Sequence, residues 1–168
     1  MVWEGGREQW LAECVVRVLQ RLQQRQRAEL VLPLPRLIRD WPANAALNHA
    51  RLRVTHTTPA FWQRLASGGD EDAAFDALRR AWRDGMQVWL EIDNACFGLL
   101  PVAGLLRLPL RFCAPDGRPV HLLARRVAGY ADVRPLPPGY LVVARHVLLT
   151  ALARDEIVKR RLQLYRQD

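Results

Sequence analysis

The amino-acid sequence predicts a single α/β domain with a mixed, largely parallel sheet and a β-hairpin, preceded by an amphipathic helix. Two strand–helix–strand units, over residues 51–92 and 140–165, predict parallel pairing, because parallel strands need a crossover connection. A regular apolar stripe near the N-terminus predicts the preceding helix. The chain has 168 residues, half of them hydrophobic, and this is enough for one sizeable core.

Cysteine content and hydropathy narrow the class of protein. Cys14, Cys96 and Cys113 form no disulfide framework, so we expect small buried side chains in a reducing cytosol. Charges interrupt every apolar run short of a membrane span, and the start, MVWEGGREQW, has neither the basic nor the apolar region of a secretory signal. We therefore expect a soluble cytoplasmic protein with no membrane partner.

The chain is strongly basic. It has 25 lysines and arginines against 17 acidic residues, which gives a net charge of +8, and Lys159 is its one lysine. Arginine suits phosphate and carboxylate partners, which makes nucleic-acid binding one hypothesis. The arginines are scattered, however, and a GC-rich genome would produce the same bias. We rank nucleic-acid binding last.

Residues 1–29 are predicted to form an N-terminal helical segment and residues 30–168 the α/β domain. The helix is expected from Arg7 to Glu29, with Arg17, Arg21 and Arg25 away from its apolar face. The apolar stripe consists of Trp10, Leu11, Cys14, Val15, Val18, Leu19 and Leu22. Such a stripe must be covered by the body of the chain, by a second copy in a homo-oligomer or by another protein, and periodicity leaves these alternatives open.

The first half of the domain begins with short elements. The prolines in Leu30–Pro35 confine this extended run to a sheet edge or a segment outside the sheet. Arg51–Thr55 is predicted to be a strand. Thr58 then provides an N-cap and Pro59 a first helical residue, so a short helix follows.

A second helix and a strand complete the first strand–helix–strand unit. Asp70 can cap a helix over residues 71–84, and a strand follows over residues 86–92. Trp89 lies on the polar register of this strand. We therefore expect Trp89 to cover the second face of a buried sheet.

The second half of the chain predicts a hairpin and the second strand–helix–strand unit. The turn Ala114–Arg118 lies between predicted strands at residues 108–112 and 120–123, which indicates a β-hairpin. Thr150 can cap a helix that runs to Arg160. The other predicted segments are a helix at 97–106, a β-rich stretch at 140–149 and a strand at 162–165.

The sequence contains no recognisable catalytic or metal-binding constellation. The histidines His49, His56, His121 and His146 have no partners at metal-ligand spacing, so we expect no metal, no cofactor and no enzyme activity. His121 and His146 lie in apolar strand patterns, where a hydrogen-bonded structural histidine is expected. Asp93-Asn94 lies at the C-terminal end of a predicted strand, where α/β proteins often place functional groups. A helix cap explains this acidic–amide pair equally well.

One segment allows a ligand-binding alternative. Thr57 and Thr58 begin a predicted helix after a strand, and Gly68 and Gly69, with Asp70, follow that helix. Hydroxyls at such a position can hold a phosphate, as in flavodoxin-like proteins, which like Rossmann-like folds are built from βαβ units. A flavodoxin-like flavin or nucleotide binder is therefore the alternative function, although helix capping accounts for the same residues.

The C-terminal half resembles the PduM family, which is encoded with propanediol-utilisation bacterial microcompartments. The resemblance covers roughly residues 99–155. It rests on five segments in order: Leu108-Pro109-Leu110, Asp116-Gly117-Arg118-Pro119-Val120, Tyr130-Ala131-Asp132-Val133, Leu141-Val142-Val143 and Leu149-Thr150-Ala151-Leu152-Ala153-Arg154.

The resemblance implies a non-catalytic component needed for assembly of the microcompartment. Its partners would be shell proteins, encapsulated enzymes or both. Short terminal amphipathic helices commonly direct proteins to such shells, so the resemblance favours the stripe as a docking surface. We therefore expect an assembly component, located in a cytoplasmic microcompartment, that connects the enzyme core to the shell.

Overall fold

The computed structural model describes residues 4–68 and 72–167, with side chains described from Arg7 onward. The helices and strands in the first half are α1 Glu4–Arg27, β1 Glu29–Pro33, α2 Leu34–Arg39, α3 Ala45–Asn48, β2 Arg51–Thr55, α4 Pro59–Ala66, α5 Ala73–Arg83 and β3 Gln87–Glu91. A 3₁₀ helix at Asn94–Leu99 follows, and then α6 Val102–Leu105, β4 Leu110–Cys113, β5 Val120–Leu123, β6 Val127–Ala128, α7 Tyr130–Val133, β7 Gly139–Val143, β8 Leu148–Leu149, α8 Ala151–Lys159 and β9 Leu162–Arg166.

The first four strands form one parallel sheet in the order β1-β2-β3-β4. Right-handed crossovers between strands in sequential order place the connecting helices on one face of a sheet. Burial alternates accordingly, because Leu52 and Val54 of β2 are buried whereas Arg53 between them is only half-buried. On this second face Trp89 and Arg53 lie side by side. Trp89 therefore lies on the second face of the sheet, as its register predicted, and its side chain is half-buried there.

The later strands form a three-stranded parallel sheet, β5-β7-β9, and a two-stranded parallel sheet, β6-β8. β7 lies in the centre, and all five of its residues are buried. β9 is an edge strand that is exposed beyond Leu162. One continuous core, from Leu32 of β1 to Leu162 of β9, joins the sheets, which confirms the prediction of a single α/β domain.

Both predicted strand–helix–strand units are confirmed. β2 pairs in parallel with β3 after α4 and α5, and β7 pairs in parallel with β9 after α8. In neither of the larger sheets does the order of the described strands reverse. The strands that the structure describes therefore form no switch-point crevice of the kind at which doubly wound, flavodoxin-like proteins bind nucleotides, and this topology does not favour that alternative.

The predicted hairpin is reduced to its turn. Ala114 N–H donates to the Arg118 carbonyl oxygen over 2.9 Å, and one antiparallel bridge joins Cys113 and Pro119. Beyond the bridge, β4 pairs with β3 and β5 pairs with β7, so the two strands enter different sheets. A cavity of about 330 Å³ lies between them. Burial of β5 beside the fully buried β7 outweighs the local preference for a hairpin.

Several element boundaries differ from the sequence prediction. Asp72, rather than Asp70, caps α5 by accepting a hydrogen bond from Ala74 N–H over 2.8 Å, and Gly69 and Asp70 lie outside the described residues. Leu100 and Pro101, which belong to neither helix, divide the predicted helix at 97–106 into the 3₁₀ helix and α6. α1 ends at Arg27, because Glu29 begins β1, which is the edge strand that its prolines predicted.

Candidate docking surface

The apolar stripe of α1 is exposed to solvent. Trp10, Leu11, Val15, Val18, Leu19 and Leu22 have exposed fractions between 47% and 60%. Cys14, the remaining member of the stripe, is half-buried. The first alternative for the stripe, burial against the body of the chain, is therefore not realised by the described residues. This leaves seven adjacent side chains that can be covered by a second molecule.

α1 is attached to the domain near its C-terminal end. Arg25 Nε donates to the Ala46 carbonyl oxygen over 2.6 Å, and Ala50 N–H donates to the Arg25 carbonyl oxygen over 3.0 Å. The prediction that Arg25 lies away from the apolar face is wrong. Arg25 follows Leu22 by three residues and therefore lies on the same face of the helix as the stripe. The attachment holds the helix at its base, and a helix of this length extends for about 36 Å.

Arginines border one flank of the stripe. Arg17 and Arg21 line a shallow surface depression together with Cys14 and Val18. Arg17 approaches Glu13 at 3.8 Å, but both side chains are largely exposed, so this ion pair is weak. Arg21 makes no ion pair with any residue that the structure describes. The flank therefore presents positive charge beside apolar side chains.

A groove of about 550 Å³ lies where α1 meets the domain. Leu22 of the stripe lines it, and so do Trp41, Ala46 and Leu47 of the domain. Leu47 is 73% exposed, and the Arg80 guanidinium lies 5.6 Å from the Trp41 ring. The apolar surface of the helix thus continues onto the domain.

A polar cluster connects the two larger sheets. The Tyr140 hydroxyl, from β7, donates to Asp116 Oδ2 over 3.0 Å and accepts from Asn94 Nδ2 over 3.0 Å. Arg118 also bonds this hydroxyl, and its guanidinium lies 4.3 Å from the Tyr140 ring. The main-chain N–H and the guanidinium of Arg118 hold the pKa of Asp116 below its usual range, with a smaller contribution from Tyr140. Every polar member has a partner in the cluster, so we interpret it as structural.

Sequence reasoning missed this cluster. It treated Asn94 as part of a helix cap and assigned Asp116 and Arg118 to a turn. Asp93 does cap the 3₁₀ helix, accepting from Ala95 N–H over 2.9 Å. No local pattern indicates that Asn94 meets Tyr140, because this contact depends on the tertiary packing of the two sheets.

The hydroxyls of the ligand-binding alternative are engaged in structural hydrogen bonds. Thr57 Oγ1 donates to the Glu91 carbonyl oxygen at the end of β3. Thr58 Oγ1 accepts from Phe61 N–H over 3.3 Å and caps α4. Gly68 has a positive φ of 77° after α4, whereas Gly69 lies outside the described residues. The described geometry corresponds to helix capping.

The histidines contact structural partners. His121 Nε2, on β5, donates to the Pro137 carbonyl oxygen over 3.0 Å, as expected for a structural histidine in a strand. His146 Nε2 donates to the Ala124 carbonyl oxygen over 2.9 Å, but His146 is exposed in the turn between β7 and β8 rather than in the predicted strand. Burial lowers the pKa of His121, which favours its neutral form. His49 Nδ1 donates to the Ala45 carbonyl oxygen at the start of α3, and His56 Nδ1 bonds the Thr55 hydroxyl at the end of β2.

The cysteines differ in exposure. Cys113 is buried, and burial raises the pKa of its thiol to about 11. Cys14 and Cys96 are only half-buried, which corrects the expectation that all three are buried. Among the described residues, no group of three or more His, Cys, Asp or Glu side chains could hold a metal ion, and no helix is long and apolar enough to cross a bilayer.

These features define an α/β protein with an exposed amphipathic helix, whose apolar stripe and adjoining groove are its candidate docking surface. The chain belongs to the family described as putative propanediol utilisation, whose family model matches residues 13–163. This match confirms the resemblance noted in the C-terminal half and extends it to most of α1.

Two relatives carry the same name, "Bacterial microcompartment assembly protein PduM". The protein of Salmonella typhimurium (strain LT2) is 33% identical over 159 residues, which cover 94% of this chain and 97% of the relative. That of Citrobacter freundii is 28% identical over 158 residues, with the same coverage of 94% and 97%. No solved structure matches this chain.

Proposed function

We propose that this protein is an assembly component of a bacterial microcompartment of the propanediol-utilisation type or a related type. It acts through protein–protein contacts between the shell and the encapsulated enzymes, in the cytoplasm. Family membership and the name that both relatives carry support the assembly role. The contact with the partner is assigned to the apolar stripe of α1.

The single observation that carries the docking role is the exposure of the stripe. Its large apolar side chains are about half exposed along one face of a helix that is held near its base. Contiguous exposed apolar surface of this kind commonly marks an interaction site, since leaving it in water is unfavourable. Trp10 supplies the type of large side chain that contributes most to binding at interfaces.

We propose that the protein contributes no catalysis to the compartment. The polar cluster around Tyr140 is satisfied by its own members, and the hydroxyls of Thr57 and Thr58 are held by main-chain groups. Assembly by contact requires none of the reactive side chains that an enzyme needs.

Replacement of Val15 and Leu19 by Asp in the full-length chain tests the docking role. Two charges in the stripe must be desolvated on docking, so we expect at least a tenfold loss of capture of shell or core proteins, on the order of the 1.4 kcal/mol that separates tenfold affinities. The measurement is co-purification with microcompartments from cells that express all the shell and core proteins, and mass spectrometry identifies the captured proteins.

Val16→Asp is the matched control. Val16 is 52% exposed on the same helix but lies on the opposite face, so its replacement should leave capture unchanged. Circular dichroism verifies that both variants retain their helices. If the double variant captured the same proteins as the wild-type chain, the stripe would not be the contact.

A further inference from the structure

The docking surface does not end with α1. We propose that the helix and the groove at its base form one composite site, and that this site binds an acidic amphipathic helix of the partner. The inference rests on the proposed function and adds to it the kind of partner and the participation of the domain.

Continuity of the apolar surface is the first argument. The face of α1 that carries Val15, Val18 and Leu22 also carries Arg25, which contacts Ala46 of α3. Leu22 lines the groove of about 550 Å³ together with Ala46 and Leu47. A partner segment that covers the stripe and continues along α1 must therefore meet α3.

The shape of this surface fits a helix. A straight stripe with residues at spacings of three and four is complementary to the apolar face of a second helix. An extended strand would find no free sheet edge on α1. Trp41, whose ring lies 5.6 Å from the Arg80 guanidinium, lines the same groove, and the end of the partner helix would pack against it.

Charge is the second argument, and it specifies an acidic partner. Arg17 and Arg21 line the depression beside Cys14 and Val18, with no acidic side chain among the residues that line it. The whole chain carries a net charge of +8. A second copy would bring the same arginines face to face, whereas glutamates on a partner helix would pair with them.

Two synthetic helical peptides of 21 residues test the proposal against the full-length protein. Both have leucine at heptad a and d positions; one has glutamate and the other lysine at the flanking e and g positions. We expect the glutamate peptide to bind at least about tenfold more tightly than the lysine peptide, and added salt to reduce this ratio. Calorimetric titration gives the dissociation constants.

Leu47→Asp examines the groove, and Leu152→Asp is its control, because both leucines are highly exposed, at 73% and 66%. The groove variant should bind the glutamate peptide about tenfold more weakly, and the control should bind it as the wild-type protein does. Unchanged melting temperatures verify folding. Equal affinity of wild-type protein and Leu47→Asp, or equal binding of both peptides, would overturn the composite site.

The outcomes separate this inference from the proposed function. If Val15→Asp/Leu19→Asp abolishes capture from cells while Leu47→Asp has no effect on the peptide, the stripe docks without the groove and only the further inference fails. If sedimentation shows a dimer that the double variant dissociates, the occupant is a second copy and the acidic-helix proposal is wrong.

Discussion

The Tyr140 hydroxyl holds the junction between the two larger sheets. It bonds Asp116 and Asn94 over 3.0 Å each, and its ring meets the edge of Phe97 at 5.4 Å between centroids. Asn94 follows β3 of the first sheet, whereas Tyr140 lies on β7, the central strand of the second. Local sequence gives no indication of this contact, yet it connects halves of the chain that are 46 residues apart.

We predict that Tyr140→Phe destabilises the protein by about 1–2 kcal/mol, because the partners lose a buried hydrogen-bonding group. Tyr165→Phe is the matched control, since Tyr165 also packs on Phe97, at 5.7 Å, but is 40% exposed. It should change the free energy of unfolding by less than about 0.5 kcal/mol. Urea unfolding measures both, and equal losses would contradict the role assigned to the Tyr140 hydroxyl.

Asp116 makes the stability of this junction depend on pH. Its pKa is lowered in the folded state, first by the Arg118 main-chain N–H and then by the guanidinium. The stabilisation is therefore present above the unfolded pKa of about 3.9 and is lost as the pH falls through the lower folded-state pKa. We predict that Asp116→Asn is less stable than the wild-type protein at pH 7 and that their free energies of unfolding converge below about pH 4. The measurement is urea unfolding of both proteins at a series of pH values. A difference in the free energy of unfolding that stays constant with pH would contradict the prediction.

At the scale of the elements, the start of β7 lies unusually close to Pro119, the residue immediately before β5. A Cβ atom built on Gly139 would lie 2.3 Å from the Pro119 carbonyl oxygen, and Tyr140 N–H donates to that same oxygen over 2.9 Å. β7 is buried at every position, so it cannot move outward to relieve the clash. This pairing also prevents β5 from forming the predicted hairpin with β4.

We predict that Gly139→Ala costs about 1–3 kcal/mol through overpacking of this strand pair. Gly129→Ala is the control, because nothing lies within 4 Å of a Cβ atom at Gly129. Chemical unfolding of both variants measures the difference. If the two alanines were tolerated equally, the close approach of β7 to Pro119 would not constrain the fold.

At the scale of the whole molecule, the chain consists of a packed domain and a helix with little tertiary contact. Arg17 and Arg21 are exposed on this helix, whereas the attachment through Arg25 lies at its base. A helix without tertiary packing is marginally stable and opens readily. The boundary between residues 1–29 and 30–168 stays a prediction; α1 itself ends at Arg27, and Glu29 already pairs in the first sheet as the start of β1.

We predict that limited trypsin digestion cleaves first after Arg17 and Arg21 and leaves the α/β domain intact. Local opening of the helix exposes its backbone to protease at a low free-energy cost, whereas cleavage in the domain requires disruption of the core. Mass spectrometry of the early fragments identifies the sites. Initial cleavage within residues 30–168 would show that the helix is the more protected part.

Much of the local structure could be predicted from the sequence. The strand Arg51–Thr55, the N-caps Thr58 and Thr150 and the turn around Gly117 depend on side-chain alternation, hydroxyl capping and glycine conformation, which act over a few residues. The stripe of α1 was predictable for the same reason.

Tertiary structure decided the rest, because it depends on which faces become buried. Periodicity identified the stripe from Trp10 to Leu22, but only the packing of the domain left it uncovered and joined it to Leu47. The sequence likewise indicated strands on both sides of the turn at Gly117, whereas burial beside β7 placed them in different sheets. The sequence by itself determined most of the elements and the family; long-range burial determined how the strands pair and which apolar surface stays exposed.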